Sequence, residues 1–268
     1  MERLLMLRLQ ATGCAAEVLL NGMPVATLGA AGGLACMAVH EYTLTGVNRL
    51  ELVVGPPPAT QPPGSPPMPR IAKGPIEISA QLVLLRHGYA ATDAGSRPLA
   101  SVEWKAAEGD SYEAPTVVAK DVELPVKFQR WRWLDAPPVV LTPAVRRQLL
   151  EFVQGMAASL GRGDPEPLID AARLRFEELA LAYQRTPGAE VQRFRDRLQK
   201  LYLAKALTMD APTAETLVLR PLLKGQLIEC LTPLGTPALR TGNMPPAAMQ
   251  PSWPLRLAVV EQRVYVLR

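Results

Sequence analysis

The chain has 268 residues, enough for two ordinary domains with a core each, and 48% hydrophobic against 20% charged residues excludes a disordered polymer. No uninterrupted apolar run of ~20 residues is present, which argues against an integral membrane protein. The formal charge of +4 comes from 29 basic and 25 acidic residues without a long basic run; no nucleic acid is expected from it, and an acidic protein partner is compatible with it.

Residues 1–10 have the flavour of a signal peptide, but Arg8 interrupts the apolar stretch and no small-residue cleavage site follows, so the reading is a cytoplasmic protein. Three cysteines, Cys14, Cys36 and Cys230, are odd in number and lack CxxC spacing, which fits reduced thiols better than disulfides or zinc. Residues 17–20 and 23–26 flank Asn21-Gly22, a pair that accepts positive φ at both centres of a type I′ turn, so a tight hairpin is predicted. Pro24 has no N–H to give a ladder and places its strand at a sheet edge. Further strands are predicted at 38–44, 48–54, 76–86, 99–106 and 116–128, a spacing that suggests a sandwich. Within this region, residues 55–70 hold eight prolines in sixteen positions. They read as a stiff surface loop, because the strands before it would make a poor core alone.

The period then changes from two to 3.6. Thr142-Pro143 supplies an N-cap and a first-turn proline, and Val145, Leu149, Phe152, Met156 and Leu160 recur at helical spacing up to Gly161. Asp164-Pro165 opens a second helix with the stripe Leu168, Ala172, Phe176, Leu179 and Tyr183, and Thr186-Pro187 opens a third with Val191, Phe194, Leu198 and Leu201. Strands return at 216–220, 225–231, 252–260 and 263–267, the last pair joined by Glu261-Gln262. The predicted fold is an all-β sandwich over residues 1–136, carrying the loop 55–70, followed over 137–268 by an α+β unit of three helices and an antiparallel sheet.

The run Glu17-Val18-Leu19-Leu20-Asn21-Gly22, followed by the strand from Gly46-Val47-Asn48 to Val54, resembles the jelly-roll sugar-binding domain of family-two glycoside hydrolases. Such a likeness implies a fold and a scaffold more than a ligand. The helices-then-strands order of the second half looks like the cystatin-like or nuclear-transport-factor-like α+β class. That likeness implies a conical cavity, for which Glu229 and Tyr265 would be the acid or base to consider. As a whole the chain resembles bacterial immunity proteins that neutralise toxic effectors, including those of type VI secretion; the likeness is one of class and transfers no residue role.

Catalytic motifs are absent from the sequence. His40 and His87 sit in separate strand regions, with no GxSxG elbow, HExxH helix or cysteine-nucleophile signature beside them. Gly32-Gly33 and Gly161-Arg162-Gly163 lack the context of a phosphate loop, and no ligand spacing for a metal is found, so neither cofactor nor metal is expected. The least ordinary stretch is 127–133, in which Arg130, Trp131, Arg132 and Trp133 interleave cations with indoles. Its tryptophans either pack against the helices with arginines on their faces, or anchor a protein partner, or stack a carbohydrate or single-stranded nucleic acid. The third helix carries Arg193, Arg195, Arg197, Lys200 and Lys205, partly offset by Glu190 and Asp196. These make a solvated face or, with Arg193 and Arg197 leading, a contact for an acidic partner. The functional expectation is a non-enzymatic protein-binding protein, an immunity protein whose partner is a cognate toxin. The alternatives are a small-molecule enzyme or ligand-binding protein using an α+β cavity, and a carbohydrate-binding module, which the 5% aromatic content disfavours.

Overall fold

The structure, a computed structural model, describes residues 3–61, 64–86, 96–124, 127–242 and 251–268. Two units are distinguished, Met1–Pro57 with Gly64–Arg130, and Pro58–Pro63 with Trp131–Arg268.

The first unit is built from β1 (Arg3–Thr12), β2 (Ala16–Leu20), β3 (Met23–Leu28), β4 (Gly33–Ala38), β5 (Gly46–Val54), β6 (Met68–Ile71), β7 (Ile76–Arg86), β8 (Arg97–Ala106), β9 (Ser111–Ala114) and β10 (Thr116–Leu124). Two four-stranded antiparallel sheets result, in the orders β4-β1-β7-β8 and β10-β5-β2-β3, and β6 pairs with β9 as a separate ribbon. Period-two burial explains why the sheets share one core. Leu5, Leu7 and Leu9 of β1 and Ile78, Ala80 and Leu82 of β7 meet Val18 and Leu20 of β2 and Leu50, Leu52 and Val54 of β5 in one buried cluster. Asn21 and Gly22 have φ of 55° and 76° and close the β2–β3 hairpin, with Pro24 in the edge strand β3, as the sequence predicts.

Three features of this unit differ from the sequence reading. The stretch resembling a signal peptide is β1, a central strand of its sheet. The strand predicted over 38–44 ends at Ala38, because His40–Tyr42 forms a 3-10 turn in which the Thr43 hydroxyl donates to the His40 carbonyl at 2.7 Å. Part of the proline-rich segment is strand: Met68–Ile71 pairs along Ser111–Ala114, while Pro62 and Pro63 lie outside the described residues.

The second unit contains α1 (Pro143–Gly161), α2 (Glu166–Ala171), α3 (Arg173–Ala182), α4 (Pro187–Leu203), β11 (Val218–Leu222), β12 (Leu227–Leu231), β13 (Arg256–Val260) and β14 (Arg263–Val266). Its antiparallel sheet runs β11-β12-β13-β14. Leu149, Val153, Leu160, Leu168, Phe176 and Leu198 of the helices share a core with Ile228, Leu257 and Val266 of the strands. Thr142 and Thr186 cap α1 and α4 by accepting the N–H of Val145 and of Ala189, each with proline in the first turn. The described residues hold four helices where the sequence predicts three. The expected second helix breaks at Ala172, whose φ of −98° and ψ of 9° leave the helical region while its side chain stays buried. The unit also begins six residues before the predicted boundary, since Trp131 and Trp133 are both fully buried and engage groups of the second unit. One rim of each four-stranded sheet carries a proline within its edge strand: Pro24 in β3, Pro98 in β8 and Pro221 in β11.

Candidate functional site

The indole-rich segment is structural. Trp131 and Trp133 have no exposed surface, and the Arg268 guanidinium lies 5.5 Å and 6.0 Å from their ring centroids. Arg268 in turn donates from Nη1 to Glu178 Oε2 at 2.5 Å, and the other carboxylate oxygen accepts the Arg132 backbone N–H at 2.7 Å. The Arg132 side chain is committed to α3, with Nη1 2.7 Å from Glu177 and a hydrogen bond to the Leu174 carbonyl. Buried indoles cannot anchor an incoming partner, which removes Trp131 and Trp133 from the binding surface expected for them. Arg130 is exposed at the end of the first unit.

Glu229 is likewise held in place. Across β11, β12 and β13 it stands in register with Arg220 and Arg256, and it accepts from both at 2.9 Å and 3.0 Å while only 4 % exposed. A carboxylate whose two oxygens are each bound by a guanidinium is fixed in orientation and is not presented to a ligand. Tyr265, on β14, stands opposite Ala258 of β13, with that strand between it and Glu229 on β12. His40 is buried and accepts the Leu5 backbone N–H at Nε2 over 2.7 Å, and burial pushes its pKa down to about 4. It is therefore a neutral core histidine; His87 lies outside the described residues. Cys14 and Cys230 are buried, and burial raises the Cys230 thiol pKa far above the usual range, whereas Cys36 is exposed. Among the described residues, no group of three or more His, Cys, Asp or Glu side chains is placed to hold a metal, and no helix is long and apolar enough to cross a membrane.

What the fold does bring together is a cleft in the second unit, of about 290 Å³, between α3, α4 and the segment 252–255. Phe176 of α3 and Phe194 of α4 meet with ring centroids 5.7 Å apart, and Trp253, 7 % exposed, forms part of the wall. That wall is fixed by the backbone, because Trp253 N–H donates to the Leu239 carbonyl at 2.8 Å and Cys230 N–H to that of Leu255 at 3.0 Å. The Trp253 indole N–H is buried and has no acceptor among the described residues.

Arg175, Arg193 and Arg197 line the same cleft. Arg193 and Arg197 are both exposed, and their i, i+4 spacing on α4 puts them on one face; with Lys200, Leu201 and the acidic Asp196 they line a more open hollow beside the cleft. Their neighbours sort the cations into two groups. Arg195 turns to Glu166 in a bidentate pair at 2.8 Å for both bonds, which lowers the Glu166 pKa and raises its own. Glu190, the acidic member of the lining, is gripped by Arg185 at 2.8 Å and lies 3.8 Å from Arg193. Arg197 makes no hydrogen bond or ion pair within the described residues. Three guanidiniums and Glu190, which pairs with both Arg185 and Arg193, thus line the cleft above an aromatic interior.

Of the residues singled out from the sequence, Arg193 and Arg197 come together at this cleft. Lys205 falls beyond the end of α4. Sequence reasoning placed Phe176 and Phe194 only as core stripes and missed Arg175 and Trp253 altogether. Arg175 precedes Phe176 by one position and carried no signal of its own, and Trp253 is reached by a chain crossing that local pattern does not encode. Comparison with protein-family models, curated proteins and solved structures finds no match to this chain.

Proposed function

We propose that this chain is a non-enzymatic protein-binding protein that receives its partner on the arginine-lined cleft of its second unit. Its task in the cell is that of an immunity protein, neutralising a toxic secreted effector of the type VI class. The observation that carries the binding reading is the meeting of Arg193 and Arg197, exposed on one face of α4, with a formed aromatic cavity, the combination in which interface hot spots are built. The immunity role rests on the class likeness of the sequence. The first unit then serves as a jelly-roll-like scaffold, and the second as a cystatin-like or nuclear-transport-factor-like α+β unit that presents the site.

Two further features favour binding over turnover. Glu190, the carboxylate of the cleft, is tied to Arg185, and Glu229, the candidate acid of an α+β cavity, is tied between Arg220 and Arg256. The aromatic side chains of the cleft are buried or half-buried and offer no flat exposed platform for a sugar.

The test is a stoichiometric pull-down from the source cell, followed by coexpression with the captured protein. Restored growth of cells making a toxic partner, lost when Arg193→Glu and Arg197→Glu are combined, is the expected result. Reproducible small-molecule turnover with no captured partner would overturn it.

A further inference from the structure

We infer that β4 is the edge through which two copies of this chain join, antiparallel about a two-fold axis at Cys36, so that the sheets β4-β1-β7-β8 of both copies run on as one. This goes beyond the cleft of the second unit and stands on the first unit alone. The ladder gives the directions. Val39 N–H donates to the Leu5 carbonyl at 3.1 Å, and in the same antiparallel register Leu7 faces Met37, Leu9 faces Ala35 and Ala11 faces Gly33. Hydrogen-bonded and non-hydrogen-bonded pairs alternate along such a ladder, so the odd-numbered residues of β4 bond to β1, and Leu34, Cys36 and Ala38 turn their N–H and C=O groups to the open border. None of the three has a backbone partner on that side among the described residues. Ala35 and Met37 pack on the core, and Leu34 and Cys36, on the opposite face, are exposed.

Composition makes this border unlike the others. Among the edge strands of the four-stranded sheets, β4, Gly33-Leu34-Ala35-Cys36-Met37-Ala38, is the one with neither proline nor charge. β3, β8 and β11 contain Pro24, Pro98 and Pro221, and β10 and β14 carry Lys120, Asp121, Glu123 and Arg263. Proline and charge are the devices that ordinarily close an edge strand to a newcomer. Symmetry then selects the occupant. With Cys36 opposite its own counterpart, Leu34 meets Ala38 of the partner subunit, and each outward N–H finds a carbonyl in both directions. Like charges do not meet: Arg8, which faces Cys36 from β1, would stand about 14 Å from its counterpart, three strand spacings of ~4.8 Å, beyond the screening length of ~8–10 Å. Pairing β4 with β10 or β14 of another copy would set a charged strand against a neutral one and leave a border open at both ends, growing head to tail instead of closing. A strand of six residues makes a contact below the ~800 Å² per partner of standard interfaces, so the dimer is reversible and concentration-dependent.

The experiment is sedimentation equilibrium of the full chain from low micromolar to submillimolar concentration, in reducing buffer that keeps Cys36 a thiol. The wild type should pass from monomer to dimer and stop there. Cys36→Lys sets like charges directly opposite each other across the two-fold, which destabilises a cross-strand pair, and Cys36→Glu does the same with the other sign. Each should raise the dissociation constant at least tenfold. Mixed in equal amounts, the two variants should form a heterodimer at least tenfold tighter than either alone, because lysine then faces glutamate. Position 36 is exposed and its N–H is turned away from β1, so the far-ultraviolet spectrum should stay the same in both variants. A wild type that remains monomeric throughout, growth past the dimer, or a lysine and glutamate mixture no more associated than its parts would overturn the proposal. No residue of the cleft enters this equilibrium, so a monomeric chain leaves the cleft reading standing, and a failed pull-down leaves the dimer standing.

Discussion

Asn48 is polar yet fully buried, and its side chain holds the turn before β5: its Oδ1 accepts the Leu44 N–H at 2.7 Å, and its Nδ2 donates to the carbonyls of Leu44 and Gly46. Asn21 donates to that same Oδ1, so the asparagine of the β2–β3 turn and that of β5 are joined by a hydrogen bond of 2.8 Å. Other polar residues store energy that can be measured. Glu178 and Arg268 are almost wholly enclosed, and Glu178→Ala would strand a guanidinium beside two buried indoles. Breaking one side of a buried pair costs ~3–5 kcal/mol, so urea unfolding should show a drop of that order, and an unchanged midpoint would refute the role. For His40 the direction follows from linkage. Its pKa is about 4 when folded against 6.5 for an unperturbed histidine, so between those limits the unfolded chain binds the proton and the folded one does not. Stability is complete above pH 6.5 and falls as the pH drops towards 4, by up to roughly 3 kcal/mol from this group. His40→Gln, whose amide oxygen can still accept the Leu5 N–H, should flatten that part of the pH–stability curve.

At the scale of elements, local chemistry was readable where one signal settled the geometry. Thr-Pro pairs opened α1 and α4 at the predicted residues, and Asn21-Gly22 and Glu261-Gln262 closed hairpins with positive φ at both positions. Thr186 Oγ1 accepts the Ala189 N–H at 3.2 Å, and Thr186→Ala should cost ~1 kcal/mol, seen as earlier melting of the second unit. Reading failed where tertiary contacts decide. No proline or glycine marks the break at Ala172, because the apolar stripe continues unchanged through α2 and α3. The 3-10 turn at His40–Tyr42 depends on a histidine reaching the N–H of Leu5, thirty-five residues away in sequence. The candidate site was half legible for the same reason: Arg193 and Arg197 share a helical face that spacing reveals, but Trp253 meets them only after the chain has passed through β11 and β12.

Across the whole molecule, the prolines at the sheet rims have a consequence for how copies of the chain meet. A strand arriving from another molecule extends a sheet by pairing with the N–H and C=O groups of its edge strand, and Pro24, Pro98 and Pro221 each leave an edge strand of a different sheet without one N–H. Valine at all three positions should shorten the lag of thioflavin-positive fibre growth at matched concentration and melting temperature; an unaltered lag would show that these rims play no such part. On that expectation templated fibre growth meets a proline at one border of every four-stranded sheet, and a concentrated stock of the folded chain should fail first, when warmed, at the borders formed by β4, β10 and β14.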